Sequence, residues 1–144
     1  MQLNPYLSFN GQCEEAFRFY ERTLGGKIVA MMKYGETPMA EQTAADWRSK
    51  IAHARLQLGN QLLMGSDGMA DCYLQPQGMT VTLTIDDPAE AERVFHALAE
   101  GGKTQMPIQE TFWAQRFGMT TDRFGTPWMV NCEKSMQARQ SAAQ

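Results

Sequence analysis

The chain repeats itself. Leu7 to Lys27, LSFNGQCEEAFRFYERTLGGK, aligns without a gap on Leu83 to Lys103, LTIDDPAEAERVFHALAEGGK. Leu7 meets Leu83, Phe9 meets Ile85, Phe19 meets Phe95, and Gly25-Gly26-Lys27 meets Gly101-Gly102-Lys103, each pair 76 positions apart in a chain of 144 residues. Self-similarity at about half the chain length restricts the fold to two copies of one supersecondary unit. A looser echo, at a different offset, sets Leu58 to Met64 (LGNQLLM) beside Phe124 to Val130 (FGTPWMV).

Each copy reads as a strand followed by a helix. Tyr6-Leu7-Ser8-Phe9 alternates as a half-buried strand does. Asn10 is placed to cap the next helix, where Ala16, Phe19, Tyr20 and Leu24 recur at helical spacing. In the second copy Asp86 or Asp87 is the cap, Pro88 suits the first turn, and Ala91, Val94, Phe95 and Leu98 form the buried stripe. The double glycine ends each helix, because a left-handed closing residue carries little steric cost only for glycine.

Three strands are expected after each helix. In the first half they are KIVAMMKY, KIAHARLQL and NQLLMGS; in the second, KTQMPIQ, WAQRFGMTTD and PWMVNC. The junctions Leu58-Gly59-Asn60-Gln61 and Phe124-Gly125-Thr126-Pro127 predict tight hairpin turns. The fold class is therefore α+β: tandem βαβββ modules over about 3–70 and 78–133, within a single domain of 1–134. Residues 135–144 hold almost no large apolar side chains and are expected to be a flexible tail. The long connection from Gly35 to Ser49 predicts a lid, an interface arm or a merely mobile loop.

Charge and cysteine usage narrow the function classes. A net charge of −3 argues against nucleic-acid binding, which needs clustered Lys and Arg. No stretch approaches the roughly 20 apolar residues of a membrane span. The start MQLNPYLSF lacks the basic and apolar regions of a signal peptide. Cys13, Cys72 and Cys132 are odd in number and share no CxxC spacing, as expected of buried or idle thiols in a reducing cytoplasm. Cys13 opens the first helix, where a helix dipole can lower a thiol pKa; a structural role is the main expectation. A GxSxG elbow and a P-loop are both absent.

The duplicated module, with NPYLSFNGQCEEAFRFYERTLGG, KIAHARLQLGNQLLMGSD, ETFWAQRFG and TDRFGTPWMVNCE, resembles the vicinal oxygen chelate superfamily of glyoxalase I, bleomycin-resistance proteins and extradiol dioxygenases. Within it, the FW…RFG…D-x-FG-x-x-W pattern resembles the PhnB-like branch. The resemblance implies a curved, cavity-enclosing mixed sheet and a homodimer. It also implies where metal-using members place ligands: one each on the first and last strands of both modules, with an open position to polarise a substrate oxygen. Those slots fall on Asn4, Thr80, Met129 and, to within a residue or so, Met64. Asn, Thr and two thioethers suit a hard or borderline divalent ion poorly, so no metal cofactor is expected. Members of the branch are sometimes labelled demethylubiquinone methyltransferases. A Rossmann-like methyltransferase needs a glycine-rich loop between strand and helix, whereas the glycine pairs here follow helices.

Strand parity supplies the cavity candidates. Leu7, Phe9, Leu83 and Ile85 should face the helices, leaving Asn4, Tyr6 and Ser8, with Thr80, Thr82 and Thr84, toward the cavity. His53 shares parity with Arg55 and Gln57, while His96 is a solvated or packed helical residue. Glu110, Trp113 and Asn131 complete the set. Phe112 and Trp113 are either packing residues or a ligand-stacking pair. Arg116, Asp122 and Arg123 are expected to be exposed and ion-paired. Met31, Met32, Met64, Met79, Met106 and Met129 are expected as core fillers, adaptable enough to suit a loose apolar pocket. Trp128, in phase with Val130, belongs in the core. The functional expectation is a small, partly apolar ligand in a metal-free cavity. The alternative is a metal-dependent lyase, isomerase or dioxygenase with displaced ligands such as His53 and Glu110. Those two would form an acid–base pair if the fold brings them together.

Overall fold

The computed structural model describes residues 1–69 and 71–143. It divides into two compact units, Met1–Gln75 and Pro76–Gln144. Unit 1 holds β1 (Tyr6–Phe9), α1 (Cys13–Leu24), β2 (Lys27–Lys33), β3 (Ile51–Leu58) and β4 (Gln61–Asp67). Unit 2 holds β5 (Val81–Thr84), α2 (Pro88–Ala99), β6 (Lys103–Gln109), β7 (Ala114–Thr121), β8 (Pro127–Glu133) and α3 (Met136–Ala142). The strand orders are β1-β4-β3-β2 and β5-β8-β7-β6, the same order under the repeat. In each sheet the first and last strands pair in parallel and the other neighbours antiparallel. Both modules are therefore βαβββ with a mixed sheet, as the sequence predicts. The segment expected to be a tail winds into α3, capped by Ser135, whose Oγ accepts from the Ala138 N–H at 3.3 Å.

One face of each sheet is buried by its helix. In unit 1 the rings of Phe9, Phe17 and Tyr20 meet at centroid distances of 6.0–6.5 Å, above Leu56 and Leu63. Phe17 presses so close that a Cβ on Gly65 would sit 2.7 Å from its ring. In unit 2 Phe95 presses on Gly118 in the same way, at 2.6 Å. Trp128 is 1% exposed beneath α2, with Val130 beside it. Gly25 (φ +76°) closes α1 and Gly101 (φ +72°) follows α2, as the double glycines predict.

The helix starts differ from expectation in one case. Asp87 caps α2 through the Glu90 N–H, with Pro88 in the first turn. Asn10 does not cap α1: the cap residue is Gln12, and it makes no side-chain bond. Asp67, from the end of β4, takes that role. Its Oδ1 accepts from the Gly11 and Cys13 N–H groups at 2.8 and 2.9 Å, and its Oδ2 from the Ile51 N–H at 2.8 Å. A carboxylate 1% exposed thus ties α1, β3 and β4 together.

Two loops also depart from expectation. Gly35 to Ser49 carries three short 3-10 turns and is pinned at both ends, by Gly35 N–H to Arg48 O (2.9 Å) and Tyr34 N–H to Lys50 O (2.9 Å). Trp47 donates to Gly68 O, Arg48 to Ala40 O and Thr43 O, and Thr43 is buried. It is packed in the manner of an Ω-type loop. The β3–β4 turn is the predicted two-residue hairpin, with Gly59 at φ +59°. The β7–β8 turn is longer, spanning 122–126. Asp122, expected to be exposed, is 4% exposed and builds this turn. Its Oδ1 accepts from Phe124 and Thr126 N–H, and its Oδ2 from Trp128 Nε1–H at 2.8 Å, so the buried indole is satisfied. The extra turn residues explain why the looser echo is one residue out of register: Met64 corresponds to Met129, not Val130.

Candidate functional site

Each sheet has a second face that no helix of its own unit covers, and parity assigns the candidate residues to it. In unit 1, Leu7 and Phe9 are buried while Tyr6 and Ser8 are exposed. Strand register then sets the rows. Tyr6 lies opposite Met64, Met64 opposite Arg55, and Arg55 opposite Ala30. One row along, Ser8 lies opposite Ser66, and His53 opposite Met32. Tyr6 and His53, 47 residues apart in sequence, are brought together: Tyr6 Oη is 3.3 Å from His53 Nδ1, and the rings stack at 5.8 Å and 26°. In the Nε2-protonated tautomer the tyrosine hydroxyl donates to Nδ1. Asn4 precedes β1 and lines a cleft of about 300 Å³ with Arg55, Gln57 and Leu62.

Unit 2 presents the equivalent rows with different chemistry. Thr82 lies opposite Met129, Met129 opposite Met119, and Met119 opposite Met106. Thr84 lies opposite Asn131, and Asn131 opposite Phe117. Where unit 1 has arginine and histidine, unit 2 has methionine and phenylalanine. Trp113 packs edge-on against Phe117 at 5.3 Å and against Phe112 at 4.7 Å, and Phe112 remains 71% exposed. The Asn131 Oδ1 is buried without a hydrogen-bond partner. An orphaned buried acceptor costs about 1–3 kcal/mol, so a group that arrives to donate to it recovers that energy.

Several expectations are corrected here. The methionines do not fill the core: Met32 and Met79 are 47% and 81% exposed, and Met31, Met64, Met106 and Met129 are half-buried. The reason is positional, since Met64, Met106 and Met129 stand on the faces away from the helices. Thr80 is exposed just before β5. Arg116 is ion-paired as expected, with Glu92 at 2.6 Å, whereas Arg123 lies over the Phe124 ring at 4.5 Å. Glu110 pairs with Lys134 at 2.8 Å, and that hydrogen bond holds its carboxyl below the ordinary range. Cys13 is fully buried, and burial followed by Asp67 and Glu14 pushes its thiol far up, the reverse of activation by a helix dipole. Burial likewise raises Cys132. Met119, Phe117 and Ser66 were not singled out from sequence. Alternation along β4 is the signal that could have found Ser66, and alternation along β7 that for Phe117 and Met119, but a register shift between Ala114 and Arg116 hides the phase of β7.

The four positions at which the resemblance places metal ligands, Asn4, Met64, Thr80 and Met129, offer donors that do not fit a hard or borderline divalent ion. Met129 Sδ is 3.8 Å from Thr82 Oγ1, which donates to it; Met64 faces Tyr6; Asn4 and Thr80 are neutral. Among the described residues no three His, Cys, Asp or Glu side chains group where they could share an ion. A methyl donor's glycine-rich loop is missing as well. The β1–α1 connection holds one glycine, Gly11, and the β5–α2 connection none.

A family model described as 3-demethylubiquinone-9 3-methyltransferase matches residues 1–131. Protein YjdN of Escherichia coli (strain K12) is 39% identical over 142 residues, covering 93% of this chain and 97% of the relative. Protein PA1353 from Pseudomonas aeruginosa superposes with a TM-score of 0.86 at 52% identity, over 94% of this chain and 99% of that one. A Bacillus cereus PhnB protein carrying the same methyltransferase description gives 0.78 at 25% identity, over 92% and 99%. The fosfomycin resistance protein FosX from Listeria monocytogenes is similar in fold alone, with a TM-score of 0.64 at 8% identity over 96% and 97%.

Proposed function

We propose, from the premise that this chain belongs to the 3-demethylubiquinone-9 3-methyltransferase family, the PhnB-like branch of the vicinal oxygen chelate superfamily, that it binds a small, partly apolar molecule on its open sheet faces using protein groups alone. The observation that carries this reading is the face of unit 2. A row of three methionines and an aromatic wall of Trp113 and Phe117 stand beside a buried amide oxygen that has no partner. Apolar walls with one or two fixed polar groups are the usual make-up of a small-molecule site, and methionines let such a wall adapt. The donor chemistry of Asn4, Thr80, Met64 and Met129 supports the metal-free form of the reading. Methyl transfer is not part of it, because neither strand-to-helix connection is built for a nucleotide-like donor.

The reading includes a homodimer. Met79 and Phe112 of unit 2 are large apolar residues exposed by 81% and 71% in the single chain, and a second copy of the chain is the occupant proposed for part of that surface. Three free cysteines suit the reducing cytoplasm proposed as its location. Light scattering is expected to give twice the chain mass. The binding test is a thermal-shift screen of metabolites and antibiotics. A ligand at about 100 times its Kd stabilises the native state by about 2.7 kcal/mol, roughly 5–10 °C for a chain of this size. A hit whose shift disappears in Asn131→Leu or Trp113→Ala is the expected result. No shift across a broad library would leave a structural role as the better account.

A further inference from the structure

We propose that the open face of unit 1 recognises the oxyanionic group of its ligand, a carboxylate or an equivalent oxyanion, with Arg55 as the anchoring cation. This deepens the small-molecule reading above and rests on it.

Arg55 projects from β3, the strand between β2 and β4, on the face away from α1, and it is exposed. Among the described residues, no carboxylate lies within salt-bridge distance of it. The cause is in the sequence. The four strands YLSF, KIVAMMK, IAHARLQL and QLLMGSD contain one acid, Asp67. Asp67 is buried on the opposite face, and both its oxygens are taken by backbone N–H groups. A chain with net charge −3 thus keeps acids away from this one face and places a guanidinium in it.

The neighbours of Arg55 are hydrogen-bonding but uncharged. The cleft beside it, about 300 Å³, is lined by the amides of Asn4, Gln57, Asn60 and Gln61 with Leu62 as apolar floor. That volume stands at the small end of ligand pockets. Across the row, Met64 and Tyr6 extend the apolar surface, and the Tyr6–His53 pair adds a hydroxyl and an imidazole on the same face. A planar guanidinium with an open fork, in a cleft of neutral amides, matches a carboxylate or phosphate-type oxyanion and discriminates against a neutral isostere. The equivalent position in unit 2 is Met119, so the two faces differ in chemistry.

The test uses the full-length chain and three probes: benzoate, its neutral isostere benzamide, and inorganic phosphate. Binding is followed by calorimetry, and by the ring-proton NMR signals of the two histidines. Benzoate is expected to bind, to shift the His53 signal and to leave that of His96 in place; benzamide is expected to bind far more weakly. Arg55→Gln should weaken benzoate on the order of tenfold to a hundredfold. Arg55 is exposed, so the variant should melt at the wild-type temperature without ligand, and Arg55→Lys should restore part of the affinity. Phosphate binding without benzoate binding narrows the oxyanion to the phosphate type and supports the assignment. Equal affinity for benzoate and benzamide, or an unchanged benzoate affinity in Arg55→Gln, overturns it while leaving a neutral-ligand site standing. If none of the three binds while a neutral apolar hit from the screen does, the oxyanion assignment falls alone. If nothing binds at all, both readings fall.

Discussion

Asp67 carries more of unit 1 than any other single polar side chain described, and its removal gives the sharpest test of how the fold is held. Asp67→Ala deletes one acceptor that serves three backbone donors. The Gly11 N–H is part-buried and can recruit water, but those of Cys13 and Ile51 are buried. Two orphaned buried donors cost about 1–3 kcal/mol each. Relief of the desolvated carboxylate offsets some of this, and loss of an anion at the start of α1 adds a little back. The expected loss is about 3–5 kcal/mol, a large share of a typical 5–15 kcal/mol domain stability. Asp67→Asn keeps Oδ1 for Gly11 and Cys13 but turns an amide N–H toward the Ile51 N–H, so it should cost about 1–3 kcal/mol. Urea unfolding followed by circular dichroism, at one fixed protein concentration, gives both values. An alanine variant within about 1 kcal/mol of wild type, or an asparagine variant less stable than the alanine one, would refute the bonding scheme.

Three shorter predictions follow from the same contacts. Because burial raises the thiols of Cys13 and Cys132 while Cys72 is exposed, a disulfide reagent at pH 8 should titrate one thiol quickly and two only on unfolding; three fast thiols would contradict the burial. Asn131→Leu should leave stability unchanged or raise it by about 1 kcal/mol, since it removes an unpartnered buried oxygen, while abolishing the shift given by a screening hit. A loss above about 2 kcal/mol in urea unfolding would show the amide to be structural. Gly65→Ala should destabilise by about 1–3 kcal/mol, because its Cβ would lie 2.7 Å from the Phe17 ring and 2.9 Å from Leu7 O; a neutral result would mean that α1 sits less tightly on the sheet than described.

The strands, α1 and α2 and their order were legible because the hydrophobic period and the repeat point the same way, whereas α3 was not. Tyr6 to Phe9 alternates, the glycine pairs end helices, and the second copy resolves what one copy leaves ambiguous. What escaped the sequence was long-range. Asn10 has the right residue type for a cap, yet Asp67, more than fifty residues away, supplies the acceptor, and no local pattern encodes that. Asp122 has the composition of a surface acid; its burial follows from the indole and the turn it must satisfy. The methionines were misplaced because hydrophobicity alone does not say which sheet face a residue occupies, and register shifts in β2 and β6 obscure the phase around Met32 and Met106. At the site, parity placed Tyr6, His53, Arg55, Met64, Thr82, Met129 and Asn131 on the open faces. The Tyr6–His53 contact and the unpartnered Asn131 oxygen needed coordinates.

The account rests on the proposition that these faces hold their ligand without a metal. Elemental analysis of protein purified without chelators tests that most directly. The account predicts zinc, nickel, manganese and iron all well below one atom per chain. One equivalent of any of them, retained through dialysis, would contradict it and restore the metal-dependent lyase, isomerase or dioxygenase.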